Sequence, residues 1–348
     1  MANLTEIARV TRVSVKVVGA LLVTLVVGRV LLTWSVSMYK AMVPPPPIPP
    51  TVGFNKLPRP VFPEDSAGEL TYKLETVDGS VPSYGPSAKV YFISKSQTSL
   101  LGLDRGKQKA AALGFVFEPE QTSGTLYRWK NTSPMPATLD LDYTTGNFTM
   151  KVAWETNPKL LNEKLIPSEV QAIAEAKNYL KQAGALPADM VNGEAVATYL
   201  KYSGGKMVKA ISLSDADFVE VNLFRQSVDK VKILPADPNV GLGHFIFSGS
   251  RGQGERILLA EYKHTQVEYQ QFETYPLISG DVAWQKLNGG EGYVAVAPEN
   301  GDTAVVRRVS IAYYDSLNSE SYLQPIYVFE GDDGFMGYVP AVSDMWLQ

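Results

Sequence analysis

A chain of 348 residues with 45 % hydrophobic and 20 % charged side chains can bury a sizeable core, and its length allows one large or two modest domains. The net charge of −4 is spread along the chain without a basic block, which argues against nucleic acid as a partner. Without cysteine, the chain has no disulfides, thiolate metal sites, cysteine nucleophiles or lipoprotein anchor.

The first strong pattern is the apolar stretch from Val17 to Tyr39, where Arg29 is the only charge between Lys16 and Lys40. At about 1.5 Å per residue the interval covers roughly 35 Å, enough to cross a hydrocarbon core of about 30 Å. Residues 17–39 therefore read as a transmembrane helix and a signal anchor. Residues 1–16, with Arg9, Arg12 and Lys16 against Glu6, read as a cytoplasmic tail. That basic flank orients the C-terminal bulk outward, and Trp34 and Tyr39 suit the headgroup level at the outer end. A cleaved signal peptide is the competing reading, with Ser35-Val36-Ser37 as its small-x-small site. The run from Val17 to Trp34 exceeds the usual roughly 7–15 residues of a signal core, so retention is expected. An outward-facing chain without disulfides suits a bacterial envelope.

Within the span, Ala20, Thr24 and Gly28 recur every four residues beside Arg29. These four are the candidate contact with a partner helix, the small residues for close approach and the arginine for an acidic or polar group. The plainer alternative is a chance run of small residues next to a snorkelling arginine.

Residues 40–63 contain Pro44, Pro45, Pro46, Pro47, Pro49, Pro50, Pro58, Pro60 and Pro63. They are expected to form a proline-rich spacer whose first cluster adopts polyproline II. A ligand for an SH3- or WW-type groove is the sharper alternative, less suited to a segment outside the cytoplasm.

From residue 64 short strands dominate. They are expected at Leu70–Leu74, Lys89–Ile93, Leu126–Trp129, Thr138–Tyr143 and Phe148–Trp154, with a helix between Leu100 and Leu113 stopped at Gly114. The best helix starts at the capping-box pair Ser168 and Gln171 and ends at Gly184. Strands follow at Ala197–Tyr202, Met207–Ile211, Phe218–Phe224, His244–Phe247 and Ile257–Tyr262. A short helix capped by Ser279 precedes strands at Val305–Tyr314, Ile326–Phe329 and Phe335–Val339. Hairpin turns dominate the connections, so the class is α+β: antiparallel sheets each packed by a helix, not a parallel βαβ fold. A first α+β module is expected at residues 64–160 and a second α+β region, with two helix-plus-sheet modules, at 161–348.

No catalytic frame stands out. His244 and His264 lie in apparent strands and outside any HExxH spacing. Asp140-Leu141-Asp142 lacks an acidic twelfth ligand, which excludes an EF-hand, and both aspartates should share a solvent face. Gly249–Gly254 lacks the Gly-Lys-Ser/Thr ending of a phosphate loop and reads as a hairpin turn. Gly331-Asp332-Asp333-Gly334 is also a turn. No cofactor, metal site or enzymatic activity is expected.

Ser279-Gly280-Asp281-Val282-Ala283-Trp284, Val309–Tyr314, Leu323–Gly331 and Gly337-Tyr338-Val339-Pro340 together resemble the end of YycI/YycH-type proteins. The likeness covers about the last 70 residues and is topological before that. It implies a single-span membrane protein with PepSY-like helix-on-sheet units outside the cytoplasm. It also implies a regulator that associates with a membrane sensor kinase of the cell envelope, and it supplies no catalytic residue. The expected partners are the bilayer and another membrane protein, met through the span and the ectodomain. The alternative function is a structural or scaffolding envelope protein, for which any anchor of similar length would serve.

Overall fold

The structure, a computed structural model, describes residues 4–42, 49–64, 70–316 and 320–348. The chain divides into two units, Met1–Pro49 and Pro50–Gln348. The cluster Pro44–Pro47 and its expected polyproline II conformation lie outside the described residues.

In the first unit a single helix, α1 (Leu4–Met42), runs 39 residues without a break. No helical boundary separates residues 4–16 from 17–39. Between Leu4 and Lys16 the sequence holds neither glycine nor proline, so nothing interrupts the backbone bonding where the apolar run begins.

The second unit opens with β1 (Thr71–Leu74), β2 (Ser87–Ser94) and α2 (Gly102–Ala112). Next come β3 (Glu120–Ser123), β4 (Leu126–Asn131), β5 (Ala137–Asp142) and β6 (Phe148–Val152). Two helices, α3 (Glu169–Gln182) and α4 (Ala188–Val191), precede β7 (Ala195–Ser203), β8 (Lys206–Lys209) and β9 (Phe218–Leu223). Then follow β10 (Ile233–Pro235), β11 (Gly243–Ser248), β12 (Ile257–Tyr262), β13 (Gln266–Pro276) and α5 (Gly280–Asn288). The chain closes with β14 (Tyr293–Val296), β15 (Thr303–Asp315), β16 (Tyr322–Gly331) and β17 (Met336–Pro340).

Nine strands form an antiparallel sheet in the order β3-β4-β5-β6-β12-β11-β9-β7-β8. Eight form a second sheet along β1-β15-β16-β17-β14, with β10 on β15 and the β2–β13 pair joined through β16. Only the short strands β1 and β10 run parallel to their neighbour, β15. The α+β class with antiparallel sheets is therefore as the sequence suggests. Residue 160 is not a boundary between sheets, however: β6 pairs with β12, Phe148 facing Tyr262, and β2 pairs with β13. Strand patterns announce which residues pair, not with which distant strand, and here burial sets the partner.

Local chemistry explains the helices. Ser168 caps α3, accepting from the Gln171 N–H while the Gln171 side chain accepts from the Ser168 N–H. At its far end Gly184 takes φ +60°, which lets Ala185 N–H reach the Leu180 carbonyl at 2.8 Å. The buried stripe Ala172, Ala176 and Leu180 then packs on β7, β9 and β11, in one core with Phe245 and Phe247. Ser279 Oγ likewise accepts from Val282 N–H, and α5 buries Ala283 and Leu287 against Val306, Phe329 and Val339.

Part of the expected spacer belongs to the folded body. Leu57 is fully buried, its N–H bonded to the Trp346 carbonyl at 2.8 Å. Phe62 stacks on Tyr293 at 5.1 Å, and Gln324 Nε2 donates to the Pro58 carbonyl. Residues 50–63 thus cover the second sheet, because prolines that cannot continue a ladder still pack well as an extended segment across apolar side chains.

Candidate functional site

Among the described residues every side chain of α1 from Arg9 to Tyr39 is exposed. The helix is long and apolar enough to cross a membrane. Its hydroxyls are turned back on the backbone: Thr24 Oγ1 donates to the Ala20 carbonyl at 2.9 Å, Thr33 to Val30, Ser35 to Leu32 and Ser37 to Trp34. Polar groups satisfied inside the helix are what a hydrocarbon environment requires. Ala20, Thr24, Gly28 and Arg29 come together on one face with Val17, Leu21, Leu25 and Leu32. A Cβ placed on Gly28 would meet nothing within 4 Å, so this shallow face is open to another helix.

Within Pro50–Gln348 a buried polar cluster lies where the two sheets meet. Arg225, just after β9, has a side chain with no solvent exposure. Its Nε donates to Asp315 Oδ2 at 2.6 Å, at the end of β15, and its Nη1 donates to Asp189 of α4. Its Nη2 donates to the Thr265 carbonyl at 2.6 Å. His264 Nε2 lies 2.8 Å from Arg225 Nη1 and 3.1 Å from Asp189 Oδ1, and Tyr269 O–H donates to Asp189 at 3.0 Å. Burial disfavours the guanidinium charge, but the Asp315 and Asp189 carboxylates outweigh it and push the Arg225 pKa up. Burial also acts against the Asp189 carboxylate, while His264 and Arg225 hold it well below the usual range. The cluster ties the two sheets together, with one buried guanidinium shared between two carboxylates.

Beside it opens a polar groove of about 810 Å³ on the sheet face opposite α3. Asn192, Asn222, Asn239, Lys209 and Lys230 line it, with Val196 and Thr198 on its floor. Lys232 is tied to Glu194 at 3.3 Å, whereas Lys209 and Lys230 make no ion pair among the described residues. Near this groove His244 sits between Glu220, 2.9 Å from Nε2, and Glu261, 3.4 Å from Nδ1. Burial lowers its pKa, but the two carboxylates dominate and it is pushed up to about 9, so the ring is a cation at neutral pH. With Glu194 and Glu220 also in its lining, such a groove carries both signs of charge and suits polar groups on a partner surface.

Other sequence candidates resolve as structural. Only His244 lies in a strand, β11; His264 lies in the β12–β13 connection, where the chain must leave one sheet to reach the other. Arg128 grips Asp140 at 2.6 and 2.7 Å, and Asp142 accepts from Thr144 and Thr145 N–H groups, so both are half-buried partners, not a free acidic face. Asp332 is bound to Arg307 in the Gly331–Gly334 turn. Among the described residues no His, Asp and Glu group is arranged to hold a metal. The Arg225 cluster was not legible: its members come from four separated segments, around residues 189, 225, 264–269 and 315, and the one local sign is a lone arginine closing an apolar strand.

No family model matches this chain, and no curated protein matches it. Among solved structures it is similar to an uncharacterized protein from Eubacterium rectale ATCC 33656, at 11 % identity over 74 % of this chain and 84 % of that one. The TM-score of 0.35 makes this a loose likeness from which no function follows.

Proposed function

We propose that this chain is a single-pass membrane protein whose α+β body lies outside the cytoplasm and works by binding, regulating a membrane partner such as a sensor kinase or another cell-envelope system. The observation that carries this reading is α1: long and predominantly apolar, exposed from Arg9 to Tyr39 among the described residues, and satisfied in its own hydroxyls. The basic residues Arg9, Arg12 and Lys16 at its front support an N-terminus in the cytoplasm of the plasma membrane. The resemblance of the C-terminal stretch to YycI/YycH-type proteins supports PepSY-like modules and a regulatory role. In this reading Arg29 and the Ala20, Thr24 and Gly28 face meet the partner's helix, and the lysine- and asparagine-lined groove meets its exterior part.

The test is site-directed crosslinking in intact cells from positions 24 and 28, followed by identification of the attached membrane protein. A discrete partner lost in Arg29→Leu and Gly28→Leu supports regulation through the span. A chain whose span is exchanged for an unrelated anchor without loss of partner or phenotype would reduce α1 to a tether and favour the scaffolding reading.

A further inference from the structure

The groove beside Arg225 runs between the open face of β7, β8 and β9 and the strands β10 and β17 of the second sheet. Six charged residues line it, and four of them are engaged. Lys232 is tied to Glu194, Glu220 to the His244 cation, and Arg225 is shared between Asp189 and Asp315. The other two, Lys209 and Lys230, are exposed and make no ion pair among the described residues. The lining holds both signs of charge, but the charge it leaves open to a ligand is positive.

Strand register separates these two cations. Lys209 faces Leu200 across the β7–β8 pair. Lys230 lies two residues before Lys232, whose Nζ reaches Glu194 at the other end of β7. From Glu194 to Leu200 an extended chain covers about 20 Å, or about six residues. Around that run Asn192, Gln226, Ser227 and Asn239 bring exposed amide and hydroxyl groups, and Val196, Leu234, Pro238 and Met336 bring partly exposed apolar ones.

Lys230 is held in place at a conformational cost. The connection from β9 to β10 closes as a two-residue turn, Val228 and Val231 bonding each other's backbone at 3.0 and 2.8 Å, with Asp229 at φ +50° and Lys230 at φ +67°. Such turns favour Asn-Gly, because a left-handed backbone crowds the Cβ of other residues. The Asp229 carboxylate takes Lys89 at 2.7 Å and the Tyr91 hydroxyl at 3.2 Å, which fixes the turn to the second sheet. Lys230 gains no ion pair there, so what its strained backbone secures is a cation at the groove wall.

We propose that the groove binds an extended acidic peptide segment, with two carboxylates about six residues apart on Lys230 and Lys209 and its backbone amides on the asparagine and glutamine side chains. The four apolar residues favour a peptide over an acidic glycan, since a peptide brings apolar side chains to cover them. The assignment rests on the reading of this groove as the surface that meets the partner's exterior part, and it names the chemistry of that partner.

The test is fluorescence anisotropy with the full chain in discs of zwitterionic lipid and a fluorescein-tagged serine–leucine peptide carrying two glutamates six positions apart. Glutamine at both positions should weaken binding at least about tenfold, and glutamates placed side by side about fivefold. Lys209→Glu and Lys230→Glu should each weaken it about tenfold, whereas Lys181→Glu, the same charge change on α3 behind the sheet, should stay within about twofold. The peptide series on the wild type decides the matter even if a variant folds poorly. No binding, equal binding of the glutamine peptide, indifference to glutamate spacing, or an effect of Lys181→Glu equal to that of Lys230→Glu would each overturn the assignment. Displacement by oligogalacturonate and not by untagged peptide would overturn it in favour of a glycan. Peptide binding with no partner crosslinked from α1 would uphold the groove and overturn contact through the span, and a crosslinked partner with no peptide binding would do the reverse.

Discussion

Raising the pH from 6 to 10 should weaken the folded body largely through His244. Held between Glu220 and Glu261, its imidazolium has a pKa of about 9 in the folded chain, against about 6.5 when unfolded. A raised folded pKa means that the added stability is complete below about pH 6.5, declines as the pH climbs, and is gone above about 9. The gap between those two values, at about 1.36 kcal/mol per pKa unit, sets a ceiling of about 3 kcal/mol. The lowered pKa of Glu261, whose first cause is its bond to His244, is the same interaction seen from the other partner and is not added. Urea unfolding followed by tryptophan fluorescence, on the full chain in lipid discs, measures the effect. The wild type should lose about 2–3 kcal/mol between pH 6 and pH 10, and His244→Gln should lose little over the same range. Parallel pH profiles for the two proteins would refute the reasoning.

Arg225→Met should destabilise the body by about 3–5 kcal/mol, because it leaves Asp189 and Asp315 buried without their cation; thermal unfolding measures this. Asp189 is held below the usual carboxylate range, so its contribution is present above about pH 4 and lost as the pH falls; acid unfolding of wild type should be steeper than that of Asp189→Asn. Ser168→Ala should cost about 1 kcal/mol and raise hydrogen exchange in the first turn of α3, with the rest of the helix unaffected. Gly249→Ala should cost at least about 1–3 kcal/mol in chemical denaturation, since a Cβ there would fall inside contact of the Glu163 carbonyl.

Much of the fold was legible where one physical signal sufficed. The Ser168–Gln171 pair, Gly184 and Ser279 mark helix ends because capping is local chemistry, and all three act as expected. Strands such as β6 and β12 follow from their alternation. β3 was missed because Glu120-Gln121-Thr122-Ser123 has no apolar residue, and β13 because its Gln-rich run is broken by a register shift between Glu268 and Phe272. The face formed by Ala20, Thr24, Gly28 and Arg29 is readable from helical spacing alone. The Arg225 cluster and the groove beside it are not, since both arise where distant segments meet, and no periodicity records that.

The most direct test of the central claim is protease treatment of intact cells carrying an N-terminal epitope. The account predicts that the body after residue 50 is digested from outside while an epitope-bearing fragment containing α1 stays protected in the membrane fraction. A body cut only after lysis, or a mature chain that begins after Ser37, would contradict it.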